Sequence, residues 1–306
     1  MNKLSNKTLL IIVSILLAVY LGNKYLGNSK DRNFKTELVA VDTTSITKIQ
    51  IIGKSNNHIP ITVKRIGSEW EVSDGTITDK APISIIQGML SSLVSIKPSR
   101  LVANDKAKWE TNEVTDSLGT QVKVFDNSTL LADFVIGKFN FQQSTRTMTT
   151  SVRLSNSDEV YTVQGYLSST FNRKTDDFRN KSFIKTTTAD LTKITFSYPA
   201  DSSFVLSKQS NGWQLDGMAA DSLRVNQYLT GLANVSMKEF ENGFEPSLHE
   251  KLYEITIDGN NMNSITVTGY SGDNGLVLNS TLNEHAYFKQ GSFNPLDQLF
   301  ASKHKF

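Results

Sequence analysis

The sequence predicts an α+β protein: two tandem, internally duplicated modules of mainly antiparallel sheet with packed helices, behind an N-terminal transmembrane helix. Three observations predict it. Runs with period-two alternation, ended by Gly, Asn or Ser turns, outnumber runs with helical period along most of the chain. Four short stretches return in order. Ser45 to Ile51 (SITKIQI) returns as Asp190 to Phe196 (DLTKITF), and Glu69-Trp70-Glu71-Val72 as Gly212-Trp213-Gln214-Leu215. Leu90-Ser91-Ser92-Leu93 returns as Leu229-Thr230-Gly231-Leu232, and Val160 to Gly165 (VYTVQG) as Ala286 to Gly291 (AYFKQG). The offsets fall steadily, 190−45 = 145, 213−70 = 143, 229−90 = 139 and 287−161 = 126, as loop deletions in a second copy require and chance matches do not. Finally, 306 residues suffice for two domains that each bury a core.

The chain divides accordingly into a signal anchor (1–26), a tether (27–42), a first module (43–175), a linker (176–188) and a second module (189–306). The apolar stretch from Thr8 to Gly22 follows Lys3 and Lys7. Its 15 residues span roughly 22 Å of helix, short of a hydrocarbon core of about 30 Å. Leu4 before it and Tyr25 and Leu26 after it lengthen it, and the lysines snorkel to the headgroups. A cleaved signal peptide is the alternative, but the exit Tyr20-Leu21-Gly22-Asn23 lacks a small-x-small site. The basic start places the N-terminus in the cytoplasm and the rest outside it, a single-pass protein of the cell membrane, although Lys24, Lys30 and Arg32 oppose that orientation.

In the first module, strands are expected over 46–52, 59–66, 69–72, 100–103, 121–125, 130–136, 148–154 and 159–163. After Pro82, Ile83, Ile86, Met89, Leu90, Leu93 and Val94 recur at helical spacing, and a short helix over 165–172 closes the module. The second module repeats the order. Its strands are expected over 191–198, 203–207, 212–215, 237–240, 252–258, 264–269, 275–278 and 285–289. Its helices are expected over 222–233, N-capped by Asp221, and over 294–302 after Asn294-Pro295.

Composition narrows the function. Removing Lys3, Lys7 and Lys24 leaves 32−3 = 29 basic against 30 acidic residues, so the remainder offers no clustered positive field and nucleic acid is excluded as a partner. There is no cysteine, hence no disulfide, thiolate site or lipid-acceptor thiol. His58, His249, His285 and His304 have no second histidine or acid at metal-ligand spacing. Nucleophile-elbow, phosphate-loop, dinucleotide and zinc-protease signatures are absent. Asp258-Gly259-Asn260-Asn261-Met262-Asn263 resembles a calcium loop, but Met262 stands where an oxygen ligand is needed and a hairpin turn explains it better. Trp70 and Trp213 read as matched core anchors in preference to sugar-stacking platforms. Asp176-Asp177 beside Arg179 reads either as a ligand clamp or as an exposed linker tying the modules together. Asp116 and Asp133 invite a general-acid reading that sequence spacing alone does not establish. No catalytic, cofactor or metal residue is assigned.

One larger pattern remains. Phe34, Leu38 and Asp42-Thr43 precede Ile46-Thr47-Lys48-Ile49-Gln50-Ile51; then come the Trp70 strand and the helix with Leu90 and Leu93. Phe134-Val135-Ile136-Gly137, Val152-Arg153, Val160-Tyr161 and Asp177-Phe178-Arg179-Asn180-Lys181 follow. Across most of residues 34–300 this resembles the bacterial family called domain of unknown function 4340. The resemblance implies a membrane-anchored extracytoplasmic protein similar to auxiliary subunits of ABC transporters, with no catalytic residues to carry over. The expected function is therefore a non-enzymatic accessory or scaffold protein of the cell envelope, with the membrane and ABC transporter subunits as partners and no cofactor. The alternative is a glycan- or peptide-binding ectodomain using Tyr166, Phe171 or Tyr270.

Overall fold

A computed structural model describes residues 37–306 together with Ser14, Ile15 and Leu17. Those three residues apart, the signal anchor lies outside the described residues, as does most of the tether. Among the described residues no helix is long and apolar enough to cross a membrane.

The fold is mostly antiparallel strand, in two large sheets. The first comprises β1 (Lys48–Ile52), β2 (Ile61–Ile66), β3 (Glu69–Ser73), β4 (Thr78–Lys80), β5 (Pro98–Ala103), β6 (Thr120–Asp126), β7 (Thr129–Gln142), β8 (Thr147–Leu154) and β9 (Val160–Gln164). Their order is β4-β3-β2-β1-β6-β7-β8-β9-β5. Helices α1 (Ile83–Val94) and α2 (Ser168–Phe171) belong to this half. A two-stranded sheet pairs β10 (Ser182–Lys185) with β15 (Asn234–Ser236). The second large sheet contains β11 (Leu191–Ser197), β12 (Phe204–Gln209), β13 (Gly212–Leu215), β14 (Met218–Ala219), β16 (Lys251–Gly259), β17 (Ile265–Gly272), β18 (Gly275–Ser280) and β19 (Tyr287–Lys289). Its order is β14-β13-β12-β11-β16-β17-β18-β19. Helices α3 (Ser222–Leu232) and α4 (Pro295–Gln298) accompany it.

Alternation makes the strands and periodicity makes the helices. In β1, Ile49 and Ile51 are buried between half-exposed Lys48, Gln50 and Ile52. Helix α1 buries Ile86, Met89 and Leu93 on one stripe. Helix α3 buries Val225, Tyr228, Leu229 and Leu232, and the Asp221 carboxylate accepts from the Leu223 and Arg224 N–H groups at 2.9 and 3.2 Å, as its sequence predicts. One core runs from Leu38 to Phe178 and a second from Phe183 to Ala301.

Strand pairing sets the two sheets in register with one another. Ile49 pairs with Val63 and Val124; Ile194 pairs with Leu206 and Ile257. Continuing outward, Val135 corresponds to Thr268, Gly137 to Tyr270, Arg153 to Asn279 and Val160 to Tyr287. Tyr161 thus corresponds to Phe288, one residue away from the pairing the sequence suggests. Tyr161 and Phe288 are both buried on the core face, whereas Tyr287 points to the opposite face, because a slip of one residue in a strand exchanges faces.

Several expected boundaries shift. The strand expected over 237–240 is β15 three residues earlier, followed by a single bridge from Phe240 to Phe288. The helices expected over 165–172 and 294–302 contract to α2 and α4. The stretch expected as a linker, 176–188, is an ordered part of the fold, with a 3-10 turn over Thr175–Asp177 and then β10. Its Phe178, Phe183 and Ile184 are fully buried. Its many polar residues mask these three apolar anchors.

The second core closes over two phenols. The hydroxyls of Tyr228 and Tyr198 donate to the carbonyls of Leu299 and Ala301 at 2.6 and 3.0 Å. Burial raises both pKa values, with Tyr253 adding to the rise at Tyr198 and Tyr198 adding to it at Tyr228. A raised folded pKa stabilises the fold fully below the unfolded value of about 10, and that contribution is lost as pH climbs toward the folded value. Ultraviolet titration should therefore show these phenolates appearing only as the second core opens in alkali. Their free ionisation near pH 10 in the folded chain would contradict the packing.

Candidate functional site

The two halves differ most on the face of each sheet turned away from its helix. In the N-terminal half that face is closed by the segment 104–119. Ala103, Val114, Val135 and Val160 form a small satellite core, with Trp109 packed on it. The Arg153 guanidinium lies 3.8 Å over the Trp109 ring, and its Nε donates to the Val114 carbonyl at 3.1 Å. Burial lowers the Arg153 pKa, countered by Asp116, Asp133 and Asp158, so the group remains a cation. Gly137 lets the segment sit down. The covering segment leaves no room for a side chain, since a Cβ there would lie 2.3 Å from the Asn112 carbonyl oxygen and 2.5 Å from a Val114 methyl. Gly137→Ala should cost about 1–3 kcal/mol by overpacking, read as a lowered urea midpoint. An unchanged midpoint would show that the segment is free to lift.

In the C-terminal half the same face is covered only in part: Thr268 and Val277 are buried on it, while Tyr270 and Tyr287 are half-buried. The segment after β15 runs past Phe240, which packs on Phe288 at 4.7 Å, and crosses the edge of β19. There Phe244 stacks on His249 at 4.4 Å and leans on Tyr287 at 4.9 Å and Tyr270 at 5.6 Å. Tyr270 holds the position that Gly137 holds in the other half, so a ring props up the segment where a hydrogen atom lets it down. Between this segment, the β17–β18 turn and the end of β19 lies a cavity of about 650 Å³. Its lining includes four carboxylates, Glu239, Glu241, Glu245 and Asp273, against one lysine, Lys289, whose Nζ is 3.8 Å from Glu241. Phe244, Leu248 and His249 supply apolar and aromatic surface. Burial, then the neighbouring Tyr270, raises the Tyr287 pKa, so this ring behind the cleft is a neutral phenol at pH 7. An acidic, aromatic-walled cleft of this size suits a basic or polar group of a partner.

A second arrangement holds the two halves together. Arg179 is buried, with Nε 2.8 Å from the nearly buried Asp79 of β4 and Nη1 3.0 Å from Asp176. Nη1 also donates to the Asn242 side chain at 2.8 Å, and the guanidinium lies 3.4 Å over Phe240. One cation therefore joins β4 of the first sheet to the segment that walls the cleft. Asn180 N–H donates to the Lys80 carbonyl at 3.0 Å, and the Asn283 amide donates to the Asn180 carbonyl at 2.7 Å, so the same few residues grip both sides. Of the two readings for this cluster, the tie is what the geometry supports; Arg179 is buried where exposure was expected, while Asp176 and Asp177 stay part-exposed.

The remaining candidates scatter. His58 and His304 are exposed, and His285 sits 3.4 Å from Glu284 on the surface; only His249 reaches the cleft. Asp116 is fully exposed 3.7 Å from Arg153, and Asp133 accepts from the Gln121 amide at 2.9 Å and from Ser155. Residues 258–263 span the end of β16 and the turn toward β17, with Met262 packed on the second core. Among the described residues no group of three or more His, Asp or Glu side chains is placed to hold a metal. Trp70 and Trp213 are buried core residues. Phe171 is fully buried, which removes it from the expected aromatic ligand surface, while Tyr166 is exposed and Tyr270 backs the cleft. Sequence reasoning missed Phe244 and the acidic rim, since they act through one irregular segment with no period to read.

The chain is thus a protein of two large antiparallel sheets, with one outer face sealed and the other part-covered around a cleft. It belongs to the family described as Domain of unknown function (DUF4340), which matches residues 78–252, more than half of the chain. No curated protein and no solved structure matches it. The matched region runs from β4 to the first two residues of β16 and contains both the Gly137–Arg153 seal and the Arg179 tie.

Proposed function

We propose that this chain is a non-enzymatic accessory or scaffold protein of the cell envelope, associated with an ABC transport system and working by surface recognition. Residues 1–26 are its single-pass anchor, with the N-terminus cytoplasmic and the two-sheet body outside. The body arose by internal duplication, which accounts for the shared strand order and for the ordered sequence matches. The observation that carries the reading is the open cleft at the place where the other half is sealed: after duplication, one copy kept packing and the other gained a recognition surface. An anchor raises the local concentration of that surface near membrane partners.

The test is mild-detergent extraction of the tagged full-length protein from native membranes after crosslinking, with mass spectrometry of what accompanies it. An ATPase and a permease should be recovered together. Repeated recovery without any transport subunit would overturn the assignment. The alternative, a glycan- or peptide-binding ectodomain, draws on the Phe244, His249, Tyr270 and Tyr287 ring cluster. It would gain from saturable binding of cell-wall fragments that Phe244→Ala abolishes.

A further inference from the structure

The N-terminal half carries a two-stranded ribbon whose tip is exposed among the described residues. β7 is 14 residues long, but β6 pairs with it only as far as Ile136. Beyond that point β7 has β8 as its partner, with Phe141 opposite Met148. Both are about half exposed, at 53% and 49%, and at its base Phe139 packs on the exposed Tyr166 at 4.3 Å. A two-stranded ribbon with large apolar side chains in water is marginal by itself and marks an interaction surface. It is also basic. Between Phe134 and Ser157 there is no acid, while Lys138 and Arg146 lie on the ribbon.

The complement to this surface occurs on the same chain. Val135 corresponds to Thr268, an offset of 268−135 = 133, and Val152 to Leu278, an offset of 278−152 = 126. The C-terminal half is therefore seven residues shorter here (133−126 = 7). It has the tight Gly272–Gly275 turn in place of the ribbon, and that turn is one wall of the cleft. We propose that the ribbon tip of one copy docks in the cleft of a second copy, Arg146 among the cleft carboxylates and Phe141 and Met148 against Phe244. Ribbon and cleft are different surfaces, so the contact is heterologous and builds open chains of copies. This goes beyond the accessory reading, and because the ribbon and a transport subunit would use the same cleft, the two occupants compete for it.

Sedimentation velocity of the full-length protein in detergent tests it. At low salt the mass should rise with protein concentration, through two copies and beyond, and return to one copy in about 1 M salt, where the Debye length is about 3 Å. Phe141→Ser/Met148→Ser removes the ribbon's apolar tip, and Glu245→Lys reverses a cleft charge. Each variant alone should remain a single copy. Mixed, they should form pairs and stop there, because the first retains an intact cleft and the second an intact ribbon. Misfolding of either variant cannot produce that result. A wild type that stays single at low salt overturns the proposal, as does wild-type association that survives in either variant alone or a mixture that fails to pair.

Discussion

Arg179→Ala should destabilise the folded chain by about 3–5 kcal/mol, the cost of leaving a buried partner charge behind. Asp79, whose side chain is 8% exposed, would lose its cation at 2.8 Å, and Phe240 would lose the guanidinium on its face. Asp176 matters less because it is 39% exposed and water replaces the lost contact. The bond from Nη1 to Asn242 fixes the segment that walls the cleft, so the loss should extend beyond stability. Hydrogen exchange over 239–249 should quicken in the variant even where both sheets remain protected. Arg179→Lys keeps the charge but not the planar fork, and an intermediate loss is expected. A change below about 1 kcal/mol on alanine substitution would mean that the tie is a surface pair of the ordinary kind.

Trp70→Ala and Trp213→Ala should each remove about 3–5 kcal/mol, the range for emptying a large aromatic site in a core. Trp70 is 4% exposed and Trp213 9%, and each belongs to the main core of its half. Urea unfolding monitored by far-ultraviolet circular dichroism measures the loss. An aromatic platform for sugar would behave otherwise, since truncating an exposed ring leaves the midpoint nearly unchanged. The positions match by register, Arg65 opposite Trp70 and Lys208 opposite Trp213, so similar losses in the two halves are expected.

Much of this fold is legible in the sequence because burial writes itself as period. Ile49 and Ile51, or Val225, Tyr228, Leu229 and Leu232, announce their elements directly. The errors fall where period is lost. β4 and β14, of three and two residues, are too short to alternate. The Tyr161–Tyr287 match follows residue identity, whereas the sheet follows face, and the two disagree by one residue. The Asp177-Phe178-Arg179-Asn180-Lys181 element is visible as a pattern, but its role is not, because Asp79 and Asn242 lie 100 and 63 residues from Arg179. The cleft was the least legible feature. Its one advance signal is Tyr270, a bulky ring where the corresponding strand has Gly137, and that signal requires the register to be known first.

The most direct test of the account places a photocrosslinking amino acid at Asn274, on the rim of the cleft, in the full-length protein in its native membrane. A control carries it at Lys208, on β12 away from the cleft. Position 274, and not position 208, should capture a transport-system subunit. Capture of the 138–150 ribbon of a second copy would add self-docking to that result without replacing it. If position 274 captures no transport component under conditions where the protein is intact in the membrane, the accessory reading of the cleft is wrong.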